Sequence, residues 1–453
     1  MMGVQQVPDQ LFYDFCLNDH VPDDHLLRQI DIFLDLDDLR RELKPFYSSI
    51  GRPSIDPALM IRILIIGYCF GIRSERRLCE EVHLNLAYRW FCRLGLDGKV
   101  PDHSTFSLNR NGRFRESNIL RRVFESVVRR CMDEGLVGSD GFSVDASLIQ
   151  ADANKRRSLP GVEWKAENIP VDAPQAVRDY LATLDDAAFG AASEKRPKFI
   201  SPSDPAAQWT GAHKGHAFFA YSTNYLIGNE NAVIVDVEAT RAIRQAEVGA
   251  ARTMIERTNE VFGLHPKRLA ADTAYGSAPM LAWLLKEKKI APHVPVFDKS
   301  QRTDGTLSRF DFFWHQDRNI YICPQGKTLK TTGKVHDGRT LLYRASKFDC
   351  DPCPLKPICC EKTASRKIPR DINEDARDTV RALRDTPAFK KSRDERKKVE
   401  MLFAHLKRIL RMGRLRLRGP RGAGDEFLLA ATAQNLRKLA RLRSQPPPKL
   451  QTT

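Results

Sequence analysis

The chain has 453 residues, 42% of them hydrophobic, and a formal net charge of +16. That length predicts more than one domain, and the apolar content excludes a chain too polar to build a packed core. The charge favours a polyanionic partner, although a basic ribosomal or membrane-surface protein would show the same balance.

The first nine residues lack a basic n-region and an apolar h-region, which predicts no secretory signal and a cytoplasmic chain. The most apolar run, 58–72, is too short for a membrane span and contains Arg62. It predicts a buried helix and no membrane partner. Residues 57–72 carry helical spacing, and Ser74 is placed to cap a following helix. A turn is expected at 101–106 and a long amphipathic helix at 117–134. Residues 1–140 thus form a helical domain. Its short helices and tight turns fit either a helix-turn-helix-like DNA-binding module or an ordinary helical bundle.

At Gly141 the hydrophobic period changes. A short strand is predicted at 142–145, with further strands at 217–225 and 232–237 joined by a turn at 228–231. A helix at 240–262, a strand at 268–272 and a helix at 277–287 follow. Strand, crossover helix and strand indicate an α/β sheet with a parallel component. A polar loop, 153–210, with one helix near 176–184, interrupts the first part, 141–297. A β-rich insertion, 298–370, holds a cysteine cluster. Helices return over 371–445, with 374–410 read as one helical stretch. The tail, 446–453, is Pro-rich and expected to be disordered.

Three acids sit in suggestive places. Asp145 ends the first strand, Asp272 ends the fourth, and Glu400 lies in the basic helix. Carboxylates converging from distant positions suit hard divalent cations, and two such ions can cut and rejoin phosphodiesters. At about 100° per residue, Arg396, Glu400 and Lys407 fall near roughly 0°, 40° and 20°. Val399, Leu402, Phe403, Leu406, Ile409 and Leu410 fill the adjoining face. The helix can therefore pack on a sheet while presenting one carboxylate and two cations at the edge of the packed surface. Arg396 and Glu400 also fit a plain surface pair of little energetic weight. Asp152 is a rival to Asp145 but follows a break from the strand. Asp236 ends the third strand and reads as a residue facing solvent before one that supports the carboxylate site from behind.

Cys323, Cys350, Cys353 and Cys359 can supply four thiolates to a structural Zn²⁺, with Cys360 able to replace Cys359; metal-free reduced cysteines are the other reading. No histidine has a spacing that suggests a catalytic cysteine. Lys407, Arg408, Arg411, Arg414, Arg416 and Arg418 form a dense basic run, and Lys155, Arg156 and Arg157 a shorter one. Either is a solvated face or a phosphate track. Trp314 reads as a core residue before a base-stacking one, and His213 and His216 as structural or near phosphate.

Taken together and in order, these motifs resemble a family. Arg396-x3-Glu400-x6-Lys407, within Val399-Glu400-Met401-Leu402-Phe403-Ala404-His405-Leu406-Lys407 and followed by Gly413, is similar to the catalytic-glutamate signature of bacterial insertion-sequence transposases of the DDE class. Residues 144–151 resemble the first catalytic strand and 271–276 the second, while the stretch from Gly51-Arg52-Pro53-Ser54 to Ser104-Thr105-Phe106 resembles the family's N-terminal helical domain. The likeness spans roughly residues 45–440. It implies an RNase H-like mixed sheet flanked by helices, with an N-terminal all-α domain and the β-rich insertion between the second and third carboxylates. It further implies that Asp145, Asp272 and Glu400 hold two Mg²⁺ (or Mn²⁺) ions. The implied partners are double-stranded DNA, both element ends and target, and a second copy of the chain, in the nucleoid of a bacterial cytoplasm. Arg393, Arg396, Lys407, Arg408, Arg411, Lys155 and Arg156 become DNA-contact candidates. The family often has tyrosine where this chain has Arg393, so a phosphate contact is expected there instead. Alternatives are an inactive DNA-binding derivative and a nuclease without strand transfer.

Overall fold

A computed structural model describes residues 15–48, 50–51, 54–164, 173–182, 197–211, 215–298 and 302–443. The tail 446–453, Arg52, Pro53 and His213, all named above, lie outside the described residues.

Strands β1 (Gly141–Gln150), β2 (Ala217–Gly228) and β3 (Val233–Arg241) form an antiparallel meander. Strands β4 (Arg268–Ala270) and β5 (Ala291–His293) add to the other side of β1 in parallel, giving the order β3-β2-β1-β4-β5. A short strand, Gln208–Gly211, pairs with the start of β2 and makes the sheet six-stranded. The fold is mixed α/β.

The flanking helices are α1 (Leu26–Phe33), α2 (Pro57–Cys69), α3 (Glu75–Leu84), α4 (Ile119–Asp133), α5 (Arg244–Phe262), α6 (Glu374–Leu383), α7 (Pro387–Arg408) and α8 (Gly419–Arg443). Ser74 caps α3, its hydroxyl accepting from the Arg77 N–H, as its position in the sequence predicts. Helix α5 is the crossover between β3 and β4. Helix α8 touches β3 and also α1, α2 and α4. Ala430, Ala431 and Ala433 are fully buried along it, and such small side chains let backbones approach closely. One buried core therefore runs from the N-terminal helices into the sheet.

Five further strands, β6 (Phe313–His315), β7 (Ile320–Ile322), β8 (Thr328–His336), β9 (Thr340–Arg344) and β10 (Lys367–Asp371), form a second antiparallel sheet. Its small core is Phe312, Tyr321, Leu329, Tyr343 and Ile368. Trp314 joins this ring cluster, 4.7 Å from Tyr321, under the Arg370 guanidinium. It is half-buried and packs against this small core.

Several expectations change. The first strand continues well past 145, because Ala146–Gln150 stay in register with Asn224–Ala220 of the long β2. Asp145 is consequently inside β1 and not at its end. The third strand runs on through Thr240 and Arg241, so α5 begins later than expected. Asp236 lies within β3, buried, with its carboxylate held by Arg121 and Arg257; it does not face solvent. The fourth strand stops at Ala270, and Asp272 caps the turn beyond it. The helical stretch 374–410 divides at Thr386-Pro387, where proline starts a new helix.

Candidate active site

Asp145 faces Tyr225 across β1 and β2, so both side chains project from one face of the sheet. Helix α7 lies on that face. Phe403 packs its ring 5.5 Å from Tyr225, and Val399, Leu402 and Leu406 are buried as the apolar stripe predicts, whereas Ile409 is exposed. Near the start of α7, the Ser392 hydroxyl meets Arg268 of β4 and the His293 ring of β5. Beyond its end, Gly413 and Leu415 hydrogen-bond to Gln150 at the end of β1. The helix thus runs alongside β1. Arg396 reaches Asp145, its Nη2 donating to Oδ2 at 2.9 Å.

Asp272 arrives from the neighbouring parallel strand, just past the Ser143–Ala270 pairing. Its Oδ1 accepts from the Ala274 N–H at 2.7 Å. The turn is fixed by Gly276, where a Cβ would stand 2.1 Å from the Pro295 carbonyl oxygen. Burial pushes the Asp145 carboxyl above the usual carboxylate range; the Arg396 charge and hydrogen bond pull it back, and the Asp272 charge raises it again.

Two further groups share this environment. Glu247 of α5 accepts from the Ser222 hydroxyl at 2.8 Å. Its carboxyl is raised by burial and by the charges of Asp272 and Asp145, with the Ser222 bond opposing. The Tyr275 hydroxyl is buried and has no hydrogen-bond partner among the described residues. Burial raises it far above its ordinary value, reinforced by Glu247, Asp145 and Asp272, while Arg396 works the other way. Tyr275 lies inside the 271–276 motif, so its position was legible. Glu247 carries no local signal, because only the return of α5 over the sheet brings it here.

Glu400 is placed differently. It lies one turn beyond Arg396, exposed, and makes no hydrogen bond or ion pair among the described residues. Among the described residues no three His, Cys, Asp or Glu side chains stand at metal-holding geometry. The structure therefore brings Asp145 and Asp272 into mutual electrostatic range and puts Glu400 on the helix that grips Asp145, without joining all three.

The basic candidates also divide. Arg396 is engaged by Asp145. Arg393, Lys407, Arg408 and Arg411 are exposed, and so is Arg156. Lys155 holds its ammonium 3.4 Å above the Phe199 ring. Asp152, the rival to Asp145, is bound by Arg414 and Arg418, which occupies two cations of the dense run.

Residues 15–112 match the model of a transposase domain (DUF772), and residues 322–440 match that of a transposase DDE domain. Together these two matches support an insertion-sequence transposase of the DDE class. The chain is a DNA transposase in which the DDE domain contains Glu400 and the cysteine cluster. A structure of a piggyBac transposase synaptic complex with hairpin DNA, solved by cryo-electron microscopy, is similar over 94% of this chain and 82% of that one, at 10% identity and a TM-score of 0.32. Among the described residues no helix is long and apolar enough to cross a membrane.

Proposed function

We propose that this transposase binds the terminal inverted repeats of its own element, cleaves there and joins the ends to target DNA, with Asp145, Asp272 and Glu400 as its catalytic carboxylates. The observation that carries the reading is the Arg396–Asp145 contact beside Asp272. It ties the basic helix of the carboxylate signature to the first catalytic strand. The sheet order β3-β2-β1-β4-β5, three antiparallel strands followed by two parallel ones, supports an RNase H-like core.

The donors suit magnesium or manganese. Asp145 and Asp272 offer hard carboxylate oxygens, and the buried Tyr275 hydroxyl beside them has no hydrogen-bond partner among the described residues. Asp145, Asp272 and Glu400 would hold two such ions, which supply activation of the attacking oxygen and stabilisation of the leaving oxygen. The protein's own part is positional. Arg396 fixes the Asp145 carboxylate, the Asp272 cap fixes the second acid, and α7 carries the third. Exposed Arg393, Lys407, Arg408, Arg411 and Arg156 hold phosphates, so binding weakens steeply with salt. The N-terminal helices bind the element ends, and two copies bring two ends together.

The test is Mg²⁺-dependent cleavage and strand transfer on the native element ends, comparing wild type with Asp145→Ala, Asp272→Ala and Glu400→Gln. Loss of both reactions in all three is expected. Cleavage at the wild-type rate in all three variants sinks the assignment, and cleavage without joining by wild type points to a nuclease instead.

A further inference from the structure

Cys323, Cys350, Cys353, Cys359 and Cys360 line one small cavity of about 30 Å³ in the β-rich unit, and none is in a disulfide. They come from three places. Cys323 occupies the tight turn between β7 and β8, closed by Cys323 N–H to Lys327 O at 2.8 Å and Gly326 N–H to Cys323 O at 2.8 Å. Gly326 takes the left-handed conformation that this turn requires. The turn also aims a backbone donor at sulfur, with the Lys327 N–H 3.3 Å from Cys323 Sγ. Cys350 ends a single helical turn capped by Ser346, and Cys353 follows in a turn whose N–H bonds the Cys350 carbonyl. Cys359 ends the short helix Lys356–Cys359.

We propose that Cys323, Cys350, Cys353 and Cys359 bind one structural zinc ion through four thiolates, and that Cys360 donates its S–H to the sulfurs of that set. Three observations support this. The Cys359 sulfur stands within electrostatic range of both Cys350 and Cys353, whereas the Cys360 thiol hydrogen-bonds Cys350 and Cys359. A four-thiolate zinc centre carries excess negative charge, and Lys356 and Arg366 line the same cavity; Arg366 is anchored there by its bond to the Cys359 carbonyl at 2.7 Å. Among the described residues the unit's core cluster holds five buried apolar residues, and a small core of that kind gains from a metal staple. The sulfurs surround the cavity without yet meeting at metal-holding geometry, so binding draws them inward. This inference is independent of the DNA chemistry.

The experiment is elemental analysis of the full-length protein purified without chelator and supplemented with zinc, then desalted. One zinc per chain is expected. Cys323→Ser, Cys350→Ser, Cys353→Ser and Cys359→Ser should each lose at least tenfold in retained zinc, while Cys360→Ser keeps it. Wild type that holds no zinc after supplementation overturns the site, as does retention by the Cys350→Ser/Cys353→Ser double variant. Loss in Cys360→Ser with retention in Cys359→Ser overturns the choice of fourth ligand. Should the ligand variants fail to fold, cobalt-loaded wild type decides. Sulfur-to-cobalt charge-transfer bands with tetrahedral ligand-field bands support the site, and octahedral cobalt spectra refute it.

Discussion

Arg396 donates to Asp145 at 2.9 Å across 251 positions of sequence. The contact joins the helix of the carboxylate signature to the strand that carries the first acid. Both side chains are mostly shielded from solvent, at 27% and 17% exposed, so the pair is worth more than a surface ion pair.

Replacing Arg396 by Ala should therefore loosen Asp145 more than it loosens the fold. A misplacement near 1 Å can cost about 10²-fold in rate. Cleavage of the element ends is expected to fall by about that factor, with a melting temperature within a few degrees of wild type. A cleavage rate within twofold of wild type would show that Arg396 does not position the acid.

Glu247→Gln removes a carboxylate that stands within electrostatic range of Asp145 and Asp272. Groups just outside a metal's ligands typically affect its affinity by about 10- to 100-fold. The Mg²⁺ concentration giving half-maximal cleavage is expected to shift by about tenfold, with Glu247→Ala shifting it at least as far. An unchanged Mg²⁺ titration curve in both variants removes Glu247 from the site.

Asp236 is a structural acid. Its Oδ1 accepts from Arg121 at 2.5 Å and its Oδ2 from Arg257 at 2.8 Å, tying α4 and α5 to β3. Asp236→Ala leaves two guanidinium groups without their shared partner in a nearly closed setting. Breaking a buried pair from one side costs about 3–5 kcal/mol. Urea unfolding should register a loss of that order, and a loss below about 1 kcal/mol contradicts the account.

Glu374 links the β-rich unit to α6. It accepts from Arg309, Arg377 and Arg381 while almost wholly buried. Burial by itself would raise its carboxyl, but the arginine charges and hydrogen bonds outweigh it and hold the group below the usual glutamate range. A depressed acid contributes stability that is present above its unfolded pKa, about 4.3, and lost as pH falls through the lower folded value. The gap in melting temperature between wild type and Glu374→Gln should be constant near neutral pH and close progressively below about pH 5. A gap as wide under acid conditions as at neutral pH argues against the linkage.

Local signals in the sequence carried much of the candidate site. The period-2 run before Asp145, the strand before Asp272 and the 3.6-residue stripe around Glu400 are short-range patterns. The strands before Asp145 and Asp272 and the helix around Glu400 are all present in the structure. Boundaries were lost where the cause was a distant partner. Strand β1 runs on past Asp145 because β2 is long enough to pair with it, and nothing in 146–150 alone dictates that. Asp236 looked solvated because the two arginines that bury it come from α4 and α5.

The sequence by itself determined which residue types were available. These were three acids in ordered motifs, a basic helix with one apolar face, and five cysteines in the β-rich segment. Backbone propensity and side-chain periodicity act over a few residues and are written locally. Only the tertiary structure decided which charges meet. It pairs Arg396 with Asp145, brings Glu247 and the buried Tyr275 hydroxyl to the same place, and leaves Glu400 exposed one turn away. Those outcomes depend on how α5 and α7 cross the sheet, and electrostatic neighbours in a folded chain are set by packing, not by separation along it.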